Sequence, residues 1–473
     1  MRRAFFLAFV TFSVAATEFS KPQNPSSLST QILSPGTIVE HVTCAKKPEQ
    51  SYALYLPSNY SPARSWPIVY SFDPAARGTL PVELQKDAAE RHGYILAASN
   101  NSKNGAWKPE AEAAEAMMED TQSRFAVDQR RIYFAGFSGG ARLASQLATL
   151  CRCAAGVFLS GAGFSSGNNP AKDVHFSVFS AVGTLDFNYR EVIPFQAKLA
   201  ATEYPYWLRI FDGPHEWAPA EAMEEALAWF RVQAIKSKLV PPDDTFVRDQ
   251  FAKSEKHADS LAQSGDLLNA YREYAQIAAT YDGLLDVSPV GEKVISLAKE
   301  KSLRDAVKHE SREFDEQDQL TARISASLTA SPSAAPSNDS VTSVSTEEQV
   351  RQLREQAEHE KRPQHAMILK RALAGVFIEA MEVGHDALDR KNFSLAVRAY
   401  SSATQANPQS EWAWESLAVA QASTGARKEV FNAISHAREL AKDKHKFADW
   451  LQYETAFDRL RPTPEFHSLQ KSD

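Results

Sequence analysis

Cysteine is scarce in this chain, a basic excess is missing, and beyond the first residues there is no apolar run long enough to cross a bilayer. Three cysteines in 473 residues, Cys44, Cys151 and Cys153, exclude a fold stapled by a disulfide framework. Two readings stay open for them: one bridge from Cys44 to Cys151 or Cys153, or plain buried thiols. No His/Cys spacing fits a metal site, and neither a metal nor a cofactor is expected. With 52 Lys and Arg against 59 Asp and Glu, the net charge is −7. That balance offers no positive field to nucleic acid or anionic lipid. No later stretch approaches the ~18 apolar residues of a membrane span, so no membrane partner is expected once the leader is removed.

What is there begins with that leader. Met1-Arg2-Arg3 is a positive end, and the apolar run from Ala4 to Ala16 carries Phe5, Phe6, Leu7, Phe9, Val10 and Phe12. Val14-Ala15-Ala16 supplies small side chains for cleavage near Thr17, so residues 1–16 read as a signal peptide and the mature protein as secreted or periplasmic.

The stretch from Arg130 to Ala144 is the centre of the chain. Ile132-Tyr133-Phe134 reads as a strand, Gly136-Phe137-Ser138-Gly139-Gly140 as a turn, and the small residues up to Ala144 as the start of a helix. A serine between glycines on a strand-to-helix turn is the pattern of a nucleophile elbow, with the hydroxyl exposed and the next N–H free. Around it, strands are predicted at 51–57, 66–72, 94–98, 156–160, 174–182 and 206–211. Helices are predicted at 82–92, 109–125, 193–202 and 218–235. Such alternation demands an α/β fold, a mainly parallel sheet covered by helices on both faces, with ligands beyond the carboxyl ends of the strands.

At those ends stand a base and an acid. A serine hydroxyl needs a base to take its proton, and the base needs a third group to hold its tautomer. His215 lies just past the last strand and Asp186 just past the strand before, giving the chain order Ser138, Asp186, His215. Asp212 is a weaker candidate than Asp186, because it sits so close in sequence to the histidine it would orient, and His175 falls inside a strand pattern, which favours a core or edge histidine over a base. For an oxyanion the first donor is the N–H of Gly139, and the second is that of Asp73 or Ala75, since Pro74 has none. The polar loop from Asn100 to Trp107 reaches the same sheet edge. Its Asn101, Asn104 and Trp107, with Trp217, are candidate substrate contacts; a plain solvated loop is the alternative.

Residues 51 to about 233 resemble the α/β-hydrolase superfamily, and within it the secreted esterases similar to feruloyl esterases and polyhydroxybutyrate depolymerases. The resemblance rests on Tyr52-Ala53-Leu54-Tyr55-Leu56-Pro57, Gly136-Phe137-Ser138-Gly139-Gly140 and His215-Glu216-Trp217. It implies a Ser138, Asp186, His215 triad that cleaves small-molecule or polymer-linked carboxylic esters through an acyl-enzyme. The chain departs from those esterases at Phe72-Asp73-Pro74, where a His-Gly pair is common. A serine peptidase of the same fold, or a binding protein that uses the fold as a scaffold, are the alternatives.

Past about residue 241 the strand patterns stop. Gly384, Phe393, Ala396, Tyr400, Ala403 and Pro408 fall at the offsets of a tetratricopeptide repeat, and a step of ~34 residues leads to Ala418, Val430, Ile434 and Ala437. Gly265, Ala270, Tyr274 and Ile277 make a degenerate third match. This portion resembles tetratricopeptide-repeat proteins, which implies a protein or peptide partner. Residues 325–346, rich in Ser, Ala, Thr and Pro, read as a flexible linker, and Thr346 as the cap of the next helix. The expected organisation is a leader at 1–16, a self-sufficient hydrolase-like domain at 17–240, helices at 241–324, the linker, and a second helical domain at 347–473.

Overall fold

The computed structural model describes residues 33–165, 175–202, 204–330 and 344–470. The expected leader and most of the expected linker lie outside them.

Eight strands form one sheet in the order β1-β2-β4-β3-β5-β6-β7-β8. They are β1 (Ile38–Thr43), β2 (Ser51–Tyr55), β3 (Trp66–Phe72), β4 (Ile95–Ser99), β5 (Val127–Phe137), β6 (Ala154–Ser160), β7 (Ser177–Gly183) and β8 (Tyr206–Phe211). Only β2 runs against its neighbours, pairing antiparallel with β1 and β4; all pairs from β4 to β8 are parallel. This is the α/β-hydrolase arrangement. Strands β3, β4 and β7 are buried at every residue, as strands covered on both faces must be. The sequence reading missed β1, whose Ile-Val-Glu-His-Val-Thr run is mostly solvent-facing and lacks the buried alternation that marks the others.

Among the described residues, the faces of the sheet are covered by α1 (Thr79–His92), α2 (Trp107–Arg124), α3 (Gly139–Cys151), α4 (Tyr189–Ala200) and α5 (Ala220–Lys236). Alternate strand residues divide between the faces: Phe179, Ala181 and Trp207 join the core under α1 and α5, whereas Val182 and Leu208 meet Val192 and Ile193 of α4. Helix α4 starts a turn earlier than expected and runs through Pro194. At the end of α3 the disulfide joins Cys151 to Cys153, a local pairing. Cys44 is a free, buried thiol that burial pushes up to about 12.

The core does not end at residue 240. Helices α6 (Asp244–Ser264), α7 (Leu267–Tyr281), α8 (Ser288–Lys299) and α9 (Lys301–Thr329) continue it. Val247, Tyr274, Ile277, Tyr281, Val290 and Leu303 belong to the same apolar cluster as Phe179 and Trp229. The open edge of the sheet is covered from this side: Leu208 N donates to the Gln276 side chain, and Arg209 pairs with Glu273 across 3.2 Å. The expected boundary near residue 240 therefore falls inside one continuous core. The hairpin α6–α7 turns at Gly265, whose φ of +87 suits glycine, and Asp266 caps α7.

Helix α9 also corrects the linker. It runs to Thr329, with Ile324 and Leu328 buried, so the first five residues of the expected linker are helical. The helix after it, α10 (Thr346–His359), is capped by Ser345 rather than Thr346. Then come α11 (Pro363–Asp389), α12 (Phe393–Ala406), α13 (Glu411–Thr424), α14 (Arg427–Leu440), α15 (Lys444–Tyr453), a 3-10 turn (Thr455–Phe457) and α16 (Pro464–Gln470). Successive helices from α11 to α14 pack against one another. Gly384 lets α11 close on α12, because a Cβ there would lie 2.5 Å from the Tyr400 ring. Ala418, Val430, Ile434 and Ala437 are buried between α13 and α14.

Candidate active site

The turn between β5 and α3 explains its own sequence. Ser138 has φ 53 and ψ −119, a strained conformation for a residue with a side chain. A Cβ on Gly136 would lie 2.0 Å from Gly140 O, and one on Gly140 would lie 2.1 Å from Phe72 O. The two glycines thus permit a turn tight enough to lift the serine out of the sheet, and Ser138 N donates to Ser160 O at 2.9 Å to fix it there.

The loops after β7 and β8 bring the other two residues to it. Thr184 N donates to Phe211 O and Leu185 N to Gly213 O, so the two loops are zipped together. Across them, His215 Nε2 lies 2.9 Å from Ser138 Oγ, and His215 Nδ1 lies 2.8 Å from Asp186 Oδ1. The His215 side chain is 13% exposed and that of Asp186 is 0% exposed. Burial pushes the Asp186 carboxyl up from its ordinary value, opposed by its bonds to His215 and to the N–H of Asn188. Asp212 is bonded to Thr184 Oγ1 at 3.0 Å on the exposed side of the loop, and His175 lies exposed ahead of β7.

Sequence reasoning missed several parts of this site. Gly161, directly after β6, has φ +63, and a Cβ there would lie 2.9 Å from Asp186 Oδ2 and 3.2 Å from His215 Cε1. Asn188 ties the acid loop to Gly161 O at 2.7 Å. The rings of Phe137 and Phe187 flank the imidazole at 4.6 and 4.3 Å between centroids. A glycine at the carboxyl end of a buried strand, and an Asn two residues after the acid, were the available signals.

The oxyanion and substrate candidates divide. Gly139 N–H is the first of α3, where helix N–H groups lack intrahelical partners. Ala75 is corrected: its N–H donates to Asp73 Oδ1 at 2.9 Å, and Ala76 N–H donates to Asp73 O. Asp73 is buried, with Arg77 Nη2 and Trp217 Nε1 each 2.8 Å from its Oδ2. Burial alone would raise its carboxyl, but Arg77, Trp217 and the Ala75 N–H hold it below the ordinary value. Trp217 is corrected in turn: it is 6% exposed and braces Asp73 instead of facing a substrate. Asn101 is corrected as well, since its amide is bonded to Ser51 N and Glu49 O at the β2 edge. Asn104 does reach the elbow: a Cβ on Gly139 would lie 1.9 Å from Asn104 Oδ1. Trp107 opens α2 and is 38% exposed.

No protein-family model matches the chain, and no curated protein does. Among solved structures it is similar to a fluorophosphonate-binding serine hydrolase of Staphylococcus aureus, at 14% identity over 41% of this chain and 98% of that one, with a TM-score of 0.34. The feruloyl esterase module of Clostridium thermocellum in complex with sinapinate gives 18% identity over 41% and 87%, with a TM-score of 0.35. A hyperthermophilic esterase from the archaeon Pyrobaculum calidifontis gives 13% identity over 44% and 87%, with a TM-score of 0.34. Likeness at this level concerns the fold at most; the chain has an α/β-hydrolase fold with a serine, a histidine and an aspartate in hydrogen-bond register.

Proposed function

We propose that this protein is a serine hydrolase that cleaves carboxylic esters through an acyl-enzyme on Ser138. The observation that carries the reading is the continuous line from Ser138 Oγ to His215 Nε2 and from His215 Nδ1 to Asp186 Oδ1, at 2.9 and 2.8 Å, on a turn held in strain. His215 Nε2 takes the hydroxyl proton as Oγ attacks the ester carbonyl, then returns it to the leaving alcohol. Asp186 keeps Nδ1 protonated and stabilises the imidazolium. The N–H of Gly139 faces the oxygen that becomes negative. With Ala75 engaged by the Asp73 carboxylate, the N–H of Asp73 is the second donor. Water then repeats the cycle on the acyl-enzyme.

Small-molecule or polymer-linked esters are the substrate class, and the helical hairpins after α9 recruit a protein or peptide partner, or the substrate itself. The arginine-led apolar run at residues 1–16 supports export to the periplasm or beyond. A panel of p-nitrophenyl esters, aromatic esters and peptide amides, run on the purified chain and on Ser138→Ala, tests the reading. Turnover of esters by the wild type alone is expected. Turnover of amides but not esters would make it a peptidase, and no turnover of any member would remove the catalytic reading.

A further inference from the structure

The loop that carries Asp186 is gripped by two side chains from the helical part of the chain. Arg371 on α11 donates from Nε to Thr184 O at 2.6 Å, and Gln317 on α9 donates from Nε2 to Phe187 O at 2.9 Å. Those two carbonyls bracket the acid, one two residues before it and one directly after. Arg371 is 3% exposed and Gln317 is 2% exposed.

A buried guanidinium is expensive unless it is well paired. Arg371 lies over the Tyr189 ring at 4.0 Å, and its Nη1 has no hydrogen-bond partner among the described residues. Burial pulls its proton affinity down, while Tyr189, Glu313, Glu310 and Asp186 pull it up from a distance. Among the described residues, its hydrogen bond is to the backbone of the loop that carries Asp186. An apolar side chain would fill this place at less cost if packing were all that was needed. Gly375, one helical turn further along α11, lies beside Phe187: a Cβ there would sit at an ordinary packing distance of 3.5 Å from that of Phe187. The Phe187 ring in turn lies against His215. An ion pair from Arg190 on α4 to Asp318 on α9 closes the contact.

We propose that Arg371 and Gln317 are positioning residues for the reaction at Ser138, so that the helical part of the chain is a working part of the active site and not only a recruiting module. The proposal rests on the reading of Ser138, His215 and Asp186 as a triad. By pinning the carbonyls on either side of Asp186, the two side chains fix its carboxylate against His215 Nδ1. Neither reaches Ser138, so the loss falls on the chemical step and not on substrate binding.

The test uses the full chain with Arg371→Met and Gln317→Leu, assayed on p-nitrophenyl acetate with active sites counted from the burst of p-nitrophenol. Each variant is expected to lower kcat by about 10- to 100-fold with KM within about twofold, and to shift or broaden the downfield proton resonance of His215 Nδ1–H. A kcat per active site within about twofold of wild type and an unmoved resonance, with only the melting temperature lowered, would overturn the proposal. If Arg371→Met fails to fold, Gln317→Leu, which removes no charge, decides alone. Ser138→Ala in parallel separates the two ideas: an active Ser138→Ala sinks the triad, whereas an inactive one beside unimpaired clamp variants sinks only the clamp.

Discussion

Replacing Gly161 by alanine probes the tightest point of the site without touching any reacting atom. The residue sits at φ +63, and the added methyl would lie 2.9 Å from Asp186 Oδ2, 3.0 Å from Phe137 Cε2 and 3.2 Å from His215 Cε1. The left-handed conformation costs an L-residue about 1 kcal/mol, and relieving the three contacts in a packed interior costs about 1–3 kcal/mol more. A total loss of about 2–4 kcal/mol is expected in urea unfolding. The relief must move either the carboxylate or the imidazole by a few tenths of an ångström, so kcat per active site should fall about tenfold. Gly265→Ala is the control, because Gly265 has φ +87 and nothing within 4 Å of a new Cβ. It should cost about 1 kcal/mol of strain and leave kcat alone. If Gly161→Ala costs no more than Gly265→Ala and keeps wild-type kcat, the close approach of Asp186 and His215 to the backbone is refuted.

Asp73→Asn should destabilise the protein by about 2 kcal/mol at pH 7, since Arg77, Trp217 and Ala75 all donate to that carboxylate. The folded carboxyl sits below its ordinary value, so its contribution is present above about pH 4 and is lost as the pH falls further; urea unfolding at pH 7 and pH 3 should show the variant losing less. Glu415 behaves in the opposite sense: burial, with Glu411 nearby, pushes it up from 4.5 to about 7. Its protonated form therefore favours folding below about pH 4.5, and that favour is lost as the pH rises towards 7. Glu415→Gln should raise stability by about 1 kcal/mol at pH 8 and change little at pH 4. A chain ended after residue 240 should be insoluble, because it strips Tyr274, Ile277 and Tyr281 from the core and leaves Leu208 N and Arg209 without Gln276 and Glu273; a soluble, cooperatively unfolding fragment would contradict the continuous core.

The legible parts of this molecule were those set by neighbours in sequence. Continuous apolar runs gave the inner strands, and the Gly136-Ser138-Gly140 spacing gave the elbow, since each is a local demand of the backbone. Asp186 and His215 could be picked as candidates because each lies shortly past the carboxyl end of a strand, β7 ending at Gly183 and β8 at Phe211. The edge strand Ile38–Thr43 was missed because only Val42 along it is buried. Trp217 and Asn101 were misread for a related reason: an aromatic and an amide near a site look alike in sequence whether they face solvent or bind the scaffold. Asp73 makes the case in detail. Its carboxylate gathers donors from Ala75 and Arg77, which sequence proximity suggests, and from Trp217, 144 residues away, which it does not. The grip of Gln317 and Arg371 on the acid loop spans 130 and 187 residues, and nothing local announces it. The boundary placed at residue 240 had the same weakness, because a change in pattern marks a change of secondary structure and not the end of a core.

Covalent labelling asks whether Ser138 is an activated nucleophile. The full chain is treated with a fluorophosphonate, its intact mass is measured, and the adduct is located by digestion. A single adduct is expected on Ser138, in the tryptic peptide that ends at Arg142, and no adduct at the same exposure in His215→Ala, whose serine has lost its base. An adduct on another residue, or labelling of Ser138 that proceeds at the wild-type rate without His215, would contradict that role.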